Sequence, residues 1–215
     1  MQESKRSLAR PSRRGLSAIW MFLGVLALIA VVGGGCAVST YNGMVTDQEA
    51  VEKHWSEILN QYKRRFDLVP QLVETVKGAA NFEQDTITAV TDARASVGRV
   101  QLPESIATDP GKVQEFLAAQ QGLGSALSRL LVVAENYPDL KAVGSFRDLQ
   151  SQLEGTENRI AVARRDYIDA VQRFNTNVRK FPNRFIAGFG GFEKLPQLEP
   201  TEANVTEVPA IDFGR

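Results

Sequence analysis

Through residues 51–80 apolar side chains recur every three or four positions: Val51, Trp55, Ile58, Tyr62, Phe66, Val69, Val73, Val76 and Ala80. This interval stacks side chains on one face of an α-helix, and its phase is the same before and after Pro70. A proline inside an unbroken apolar phase predicts a bend within one helix rather than its end. No window of the chain alternates with period two, so no strand is predicted.

The same rhythm, with its start and stop residues, outlines four helices. The first is expected to begin after a short link at residues 39–44, where Thr46 and Glu49 form a capping-box pattern, and to end near Lys77 ahead of Gly78. Asn81 with Gln84 caps a second, with Ile87, Val90, Ala93 and Val97 on one face before Gly98. A loop at residues 100–108 leads to Asp109 and Pro110, a cap followed by proline at the first helical position. The third helix carries Val113, Phe116, Leu117, Leu123, Leu127, Leu130 and Leu131 and stops at Asn136, Tyr137 and Pro138. The fourth, over residues 145–181, places Phe146, Leu149, Leu153, Ile160, Tyr167, Val171, Phe174, Val178 and Phe181 in one phase up to Pro182. At the usual helical rise it would extend roughly 55 Å. The predicted fold class is all-α: an N-terminal transmembrane helix, then an antiparallel four-helix bundle of long helices in up-down-up-down order.

The membrane helix is read from residues 15–38, 24 positions with no ionisable side chain except the thiol of Cys36. Such a run reaches roughly 36 Å as a helix, enough for a hydrocarbon core of about 30 Å. The chain therefore divides into a basic N-terminus (1–14), an anchor (15–38), a helical bundle (39–192) and a flexible tail (193–215). Of the 25 basic and 25 acidic side chains, five basic (Lys5, Arg6, Arg10, Arg13, Arg14) and one acidic (Glu3) precede residue 39, leaving 20 against 24. The basic cluster before the run, with Asp47, Glu49 and Glu52 after it, predicts a cytoplasmic N-terminus and a bundle on the outer side of the membrane. GGGC at residues 33–36 loosely resembles a lipoprotein processing site, which makes Cys36 a candidate for lipidation. A lipid anchor would leave the bundle on the same side, and the length of the apolar run favours the uncleaved span.

Candidate chemistry is sparse. The acidic balance after residue 38 supplies no basic excess for a phosphate backbone, which disfavours nucleic acid as a partner. A di-iron bundle centre needs Glu-x-x-His on two helices, whereas His54 is the only histidine and Val51 stands three before it. Cys36 has no neighbouring base, GFGG at residues 188–191 has no following lysine, and Asn204-Val205-Thr206 is a short glycosylation pattern of little weight. No cofactor and no catalytic residue is expected, and no small-molecule ligand is identified. The remaining constellation is ionic: Arg64, Arg65, Asp67, Glu74 and Lys77 on the first helix, with Glu154, Glu157, Asn158, Arg159, Arg164, Arg165 and Asp166 on the last. These residues form either solvated faces or a polar groove that fixes register or receives a partner, for which Arg64, Arg65, Asp67, Glu74, Lys77, Glu157, Arg159 and Arg164 are the candidates. If the last helix returns toward the membrane, Phe181, Phe185, Phe189 and Phe192 emerge beside the bilayer. They are expected to cap the base of the core, with interfacial insertion as the alternative.

YN at residues 41–42, RRFDLVPQLVETVKG at 64–78, TDARASVG at 91–98, AENYPDLKA at 134–142, LEGTENRIAVARRDY at 153–167 and FP at 181–182 together resemble the LemA family. His54, Ile168 and the GGGC segment depart from the family pattern without bearing on the fold. The resemblance implies a bacterial protein with one N-terminal membrane anchor and a helical domain, regarded as a non-enzymatic envelope protein. Some relatives are linked to membrane remodelling or organelle assembly and others to membrane proteolysis; some are drawn with the domain in the cytoplasm, against the charge argument above. The function expected is a scaffold or interaction module that self-associates or holds other membrane proteins. The alternative is an extracytoplasmic sensor or ligand-binding module that works through a separate membrane partner.

Overall fold

The computed structural model describes residues 13–79, 82–100 and 110–198. The basic cluster at Lys5, Arg6 and Arg10, the Asn81 and Asp109 caps, most of the 100–108 loop and the segment from 199, with Asn204, lie outside the described residues. Among the described residues there are helices and no strand: α1 (Arg13–Lys77), α2 (Gln84–Arg99), α3 (Pro110–Ala134), α4 (Pro138–Ala142), α5 (Gly144–Arg179) and α6 (Asn183–Gly190).

The apolar run and the first bundle helix are one element. α1 holds 65 residues, roughly 98 Å at the helical rise. The link predicted at residues 39–44 and the helix start at Thr46 are therefore corrected. Nothing in that stretch breaks a helix, and the Thr46 hydroxyl donates back to the Asn42 carbonyl four residues earlier (2.9 Å) instead of capping a new end. Along α1 the apolar side chains from Ile19 to Val32 are exposed, and full burial begins at Met44. The segment from Ile19 is long and apolar enough to cross a membrane. α3 meets the same test, but Val113, Phe116, Leu123, Leu127 and Leu130 are buried in the core.

Pro70 lies inside α1, as its apolar phase predicted. Lacking an N–H, it leaves the carbonyl of Phe66, four residues earlier, without its helical donor. Arg94 of α2 fills that place: its Nε donates to Phe66 O at 3.3 Å, and its guanidinium lies 3.9 Å from the Phe66 ring centre. The carbonyl that Pro70 leaves open in α1 thus also fixes α2 against it.

α1 packs chiefly on α5. Asp47 meets Asn177, Trp55 meets Tyr167, Tyr62 meets Arg164 and Arg65 meets Glu157, so the contacts descend one helix as they climb the other. The seam buries Val51, Trp55, Ile58 and Tyr62 against Ile160, Tyr167, Val171 and Phe174. Each such side chain contributes about 1.5–3 kcal/mol on burial, against about 0.5 kcal/mol for an exposed ion pair, so apolar packing holds these helices together. α2 lies on α3, with Phe82 and Tyr137 rings 4.8 Å apart where they meet. α3 begins at Pro110 as expected, whereas the N-cap of α2 is Glu83, whose side chain accepts from Thr86. Proline at the first position also starts the five-residue α4, which tucks Leu140 into the core.

The base of the domain departs further from expectation. Phe181, read as the last residue of the fourth helix's stripe, is exposed because α5 ends at Arg179. The chain then forms α6 and turns at Gly191, which takes a left-handed conformation (φ 73°); just before it, a Cβ on Gly190 would stand 2.9 Å from the Phe192 ring and 3.0 Å from the Tyr41 ring. Residues 193–198, read as the start of the tail, run extended over α5. There the buried Asn175 side chain clamps Leu195 from both sides, donating to its carbonyl and accepting from its N–H, each at 2.9 Å. Leu195 and Leu198 are buried.

Arg94→Ala should lower unfolding stability by about 1–2 kcal/mol, the scale of a hydrogen bond from a charged donor. The loss should shrink in a Pro70→Ala background, where a backbone N–H again reaches the Phe66 carbonyl. A double-mutant cycle on chemical unfolding of the full chain in detergent checks this; strict additivity would contradict the pairing. A second expectation concerns Tyr167, whose phenol burial, and secondarily the negative charge of Glu52, pushes upward. The fold favours the neutral form. That contribution is complete below the unfolded value of about 10 and is lost as the pH rises above it toward the folded value. The melting temperature should fall more steeply above pH 10 in the wild type than in Tyr167→Phe, and parallel curves would refute the assignment.

Candidate functional site

Ahead of Pro70 in α1, the apolar phase brings Arg65 to the buried face, three residues after Tyr62 and three before Leu68. A charge there must be matched in full, because an uncompensated buried ion is strongly destabilising. Arg65 Nη1 donates to Glu157 Oε1 at 2.9 Å and to Oε2 at 3.2 Å; Nη2 donates to the Gln120 carbonyl at 2.6 Å and also to Gln120 Oε1. Its stem is held by Tyr62, over whose ring the guanidinium lies at 5.1 Å. Nε has no partner among the described residues. α3 can approach this closely because residue 124 is glycine, where a Cβ would stand 3.2 Å from Arg65 Nη1.

The pair is unequal. The Arg65 side chain is 4% exposed and that of Glu157 is 44% exposed. Glu157 faces an open groove of about 1100 Å³ between α1, α3 and α5, walled by Gln114, Gln121, Ser125 and Ser128 on one side and by Ile160 and Arg164 on the other. Residues 197–198 close one edge. Arg164 Nη1 donates to the Tyr62 hydroxyl at 3.1 Å. The lining is mixed: amides and hydroxyls that donate or accept, one carboxylate and two guanidiniums stand beside Leu117, Ala118, Ile160 and Leu198. This is equipment for recognition by hydrogen bonding. Among the described residues no cluster of three or more His, Cys, Asp or Glu side chains has the spacing to hold a metal ion.

Of the eight groove candidates, Arg65, Glu157 and Arg164 come together here. Arg64 and Asp67 are exposed outside the groove lining. Glu74 and Lys77 form an exposed local pair at 3.1 Å. Arg159 is exposed, reaching Thr156 Oγ1 at 3.4 Å and lying over Gly155. Gln120, Tyr62 and the serines of α3 were missed. Their signal was available in the phase of each helix, which puts Gln120 three before Leu123 and four after Phe116 on the buried side. His54, as expected of a structural histidine beside the stripe, bonds Glu57 through Nδ1 at 3.0 Å. Cys36 is exposed on α1. Of the basal phenylalanines, Phe181, Phe185 and Phe189 are 84%, 64% and 95% exposed, which overturns the expectation that they cap the core. Phe192 alone serves that role, with its ring 5.3 Å from Tyr41 and 6.4 Å from Phe174.

The family model of the LemA family matches residues 54–213. Magnetosome protein MamQ 2 of Paramagnetospirillum magneticum is 27% identical over 224 residues, covering 97% of this chain and 80% of the relative. Magnetosome protein MamQ of Magnetospirillum gryphiswaldense is 23% identical over the same shares. Protein LemA of Metamycoplasma hominis is 22% identical over 175 residues, 81% of this chain and 74% of the relative.

The buried partner and the exposed partner should respond differently to removal. Glu157→Ala leaves a buried cation with neutral ligands only and should cost about 2–4 kcal/mol, whereas Arg65→Met leaves a carboxylate that water can reach and should cost less. Chemical unfolding of the two variants measures the order; the reverse order would show that Glu157 is a solvated face.

Proposed function

Since the chain belongs to the LemA family, we propose that it is a non-enzymatic, single-pass membrane protein of the bacterial envelope that holds partner proteins, or copies of itself, at the groove between α1, α3 and α5. The observation that carries this reading is the continuity of α1. The helix whose apolar half is long enough to span a bilayer is the same helix whose other half forms the core seam and carries Arg65. A domain built on its own anchor without a hinge is suited to presenting a surface at a fixed height and direction, as a scaffold requires.

On this reading residues 15–38 are the span, the N-terminus is cytoplasmic and the domain lies outside. The four long helices pack as an up-down-up-down bundle, supported by the opposed course of contacts between α1 and α5. The domain extends to residue 198 rather than 192, because Leu195 and Leu198 are buried with it. The names of the magnetosome relatives accord with a role at a membrane-bounded assembly. Arg65 and Glu157 set the register of the groove, and Arg164 with the α3 amides and hydroxyls meets the partner.

A photo-crosslinking side chain introduced at Ser128, on the groove wall, tests the reading in native membranes. Discrete adducts should form, with one the mass of a second copy or of a reproducible partner, and should be absent when the same group is placed at the exposed Asp92 of α2. An uncrosslinked monomer from both positions would remove the groove from the proposal.

A further inference from the structure

The exposed phenylalanines at the base of the domain form one face of α6 and the turn before it. Phe181, Phe185 and Phe189 recur every four residues, the interval of a single helical face, and the Phe181 and Phe185 rings stand 6.0 Å apart. Arg179 and Arg184 flank them, and with Gly188 the five side chains line a shallow open cleft of about 580 Å³. A soluble surface rarely leaves three neighbouring phenylalanines in water, so the face has an occupant.

The position of α6 along α1 identifies it. Tyr41 packs against Phe192 and Gly190, and Tyr41 is three residues past the end of the uncharged run at Val38, about 4.5 Å along the helix. At the other end of α6, the Asn183 amide bonds Asn177, and Asn177 bonds Asp47 at 2.8 Å. Asp47 is nine residues past Val38, or about 13.5 Å, and α5 continues two residues back from Asn177 to its end at Arg179, about 3 Å. Both ends of α6 therefore lie within about 5–11 Å of the end of the apolar run, close to the depth at which interfacial helices sit. The Asp47–Asn177–Asn183 chain and the Tyr41–Phe192 contact fix α6 there.

We infer that α6 is a second membrane contact: Phe181, Phe185 and Phe189 embed in the leaflet from which α1 emerges, and Arg179 and Arg184 lie among the phosphates of anionic phospholipids. This rests on reading the apolar run as a span. Aromatic rings at headgroup depth beside cationic side chains match the composition of interfacial helices. The contact restrains the tilt of the domain, which a single helix crossing the bilayer would leave free.

The test uses the full chain with Cys36→Ser in phosphatidylcholine–phosphatidylglycerol vesicles. Single cysteines, introduced by Phe189→Cys, Phe185→Cys, Leu28→Cys or Asp169→Cys, carry an environment-sensitive fluorophore. Quenching is measured with nitroxide-bearing lipids and with aqueous iodide. Labels at 28, 185 and 189 should be blue-shifted and quenched by nitroxide lipid, those at 185 and 189 most by nitroxides near the headgroups. The label at 169, about 25 Å above the run by the same rise, should respond to iodide alone. If 28 is lipid-quenched while 185 and 189 behave like 169, the inference fails and the span stands. If 28 also behaves like 169, the span reading fails and the inference with it. Protection of 185 and 189 from both quenchers would mean that protein, such as a second copy, covers the face, and would also overturn the inference.

Discussion

A guanidinium almost closed to solvent lies where α1, α3 and α5 meet, and the arrangement of the domain follows from the need to satisfy it. Arg65 takes both carboxylate oxygens of Glu157 and two oxygens of Gln120. Apolar packing supplies most of the stability, but leucines, valines and isoleucines on long helices pack almost as well when one helix slides by a turn. The ion pair does not tolerate that shift. A slip of α5 by three or four residues would set Leu153, Glu154, Ile160 or Ala161 opposite Arg65. Three of those four leave the charge buried without a counter-ion, at a cost larger than any gain in packing.

The second polar lock comes from a defect. Pro70 removes one hydrogen bond from the ladder of α1, and the carbonyl it exposes becomes an acceptor for a residue outside the helix. Arg94 uses it, stacking on Phe66 as it does so. Arg65 and Phe66 are sequential, so one turn of α1 presents a buried charge toward α3 and α5 and an open carbonyl toward α2. This explains why RRFDLVP reads as a motif in a chain with no expected chemistry. Its second arginine, phenylalanine and proline are structural addresses for three different helices, and its other two charges, Arg64 and Asp67, are exposed to solvent.

The long helices were legible because a three-to-four repeat kept over many turns has only one regular conformation that buries it. Pro110 and Gly78 marked ends because each enforces a backbone consequence that the next residues cannot override. The Thr46 signal misled because a capping box is a local pattern, and a threonine whose hydroxyl can return to the preceding turn is equally at home within a helix. α4 and α6 were missed because helices this short show at most two turns of periodicity. The docking of residues 193–198 depends on a buried amide, Asn175, whose partners are main-chain atoms with no side-chain signature. In the groove, the residue types were visible but not their pairing. Nothing in the order of the chain says that Arg65 rather than Arg64 faces Glu157, except the phase of the stripe, which does favour Arg65.

The same rise that sets α6 close to the end of the apolar run separates it from the groove. Arg65 is 27 residues beyond Val38, so an unbroken α1 carries it about 40 Å past the end of the apolar run. That distance is several times the depth of a headgroup layer, and no lipid in the anchoring leaflet reaches it. On the proposed reading, whatever enters the groove comes from solution or from another protein, while the basal phenylalanines meet what lies at the bilayer surface. The groove and the basal phenylalanines are thus two separate surfaces held at fixed spacing by one helix. If the base rests on the lipid, the groove points in a direction set by the fold rather than by thermal tilt about a flexible tether.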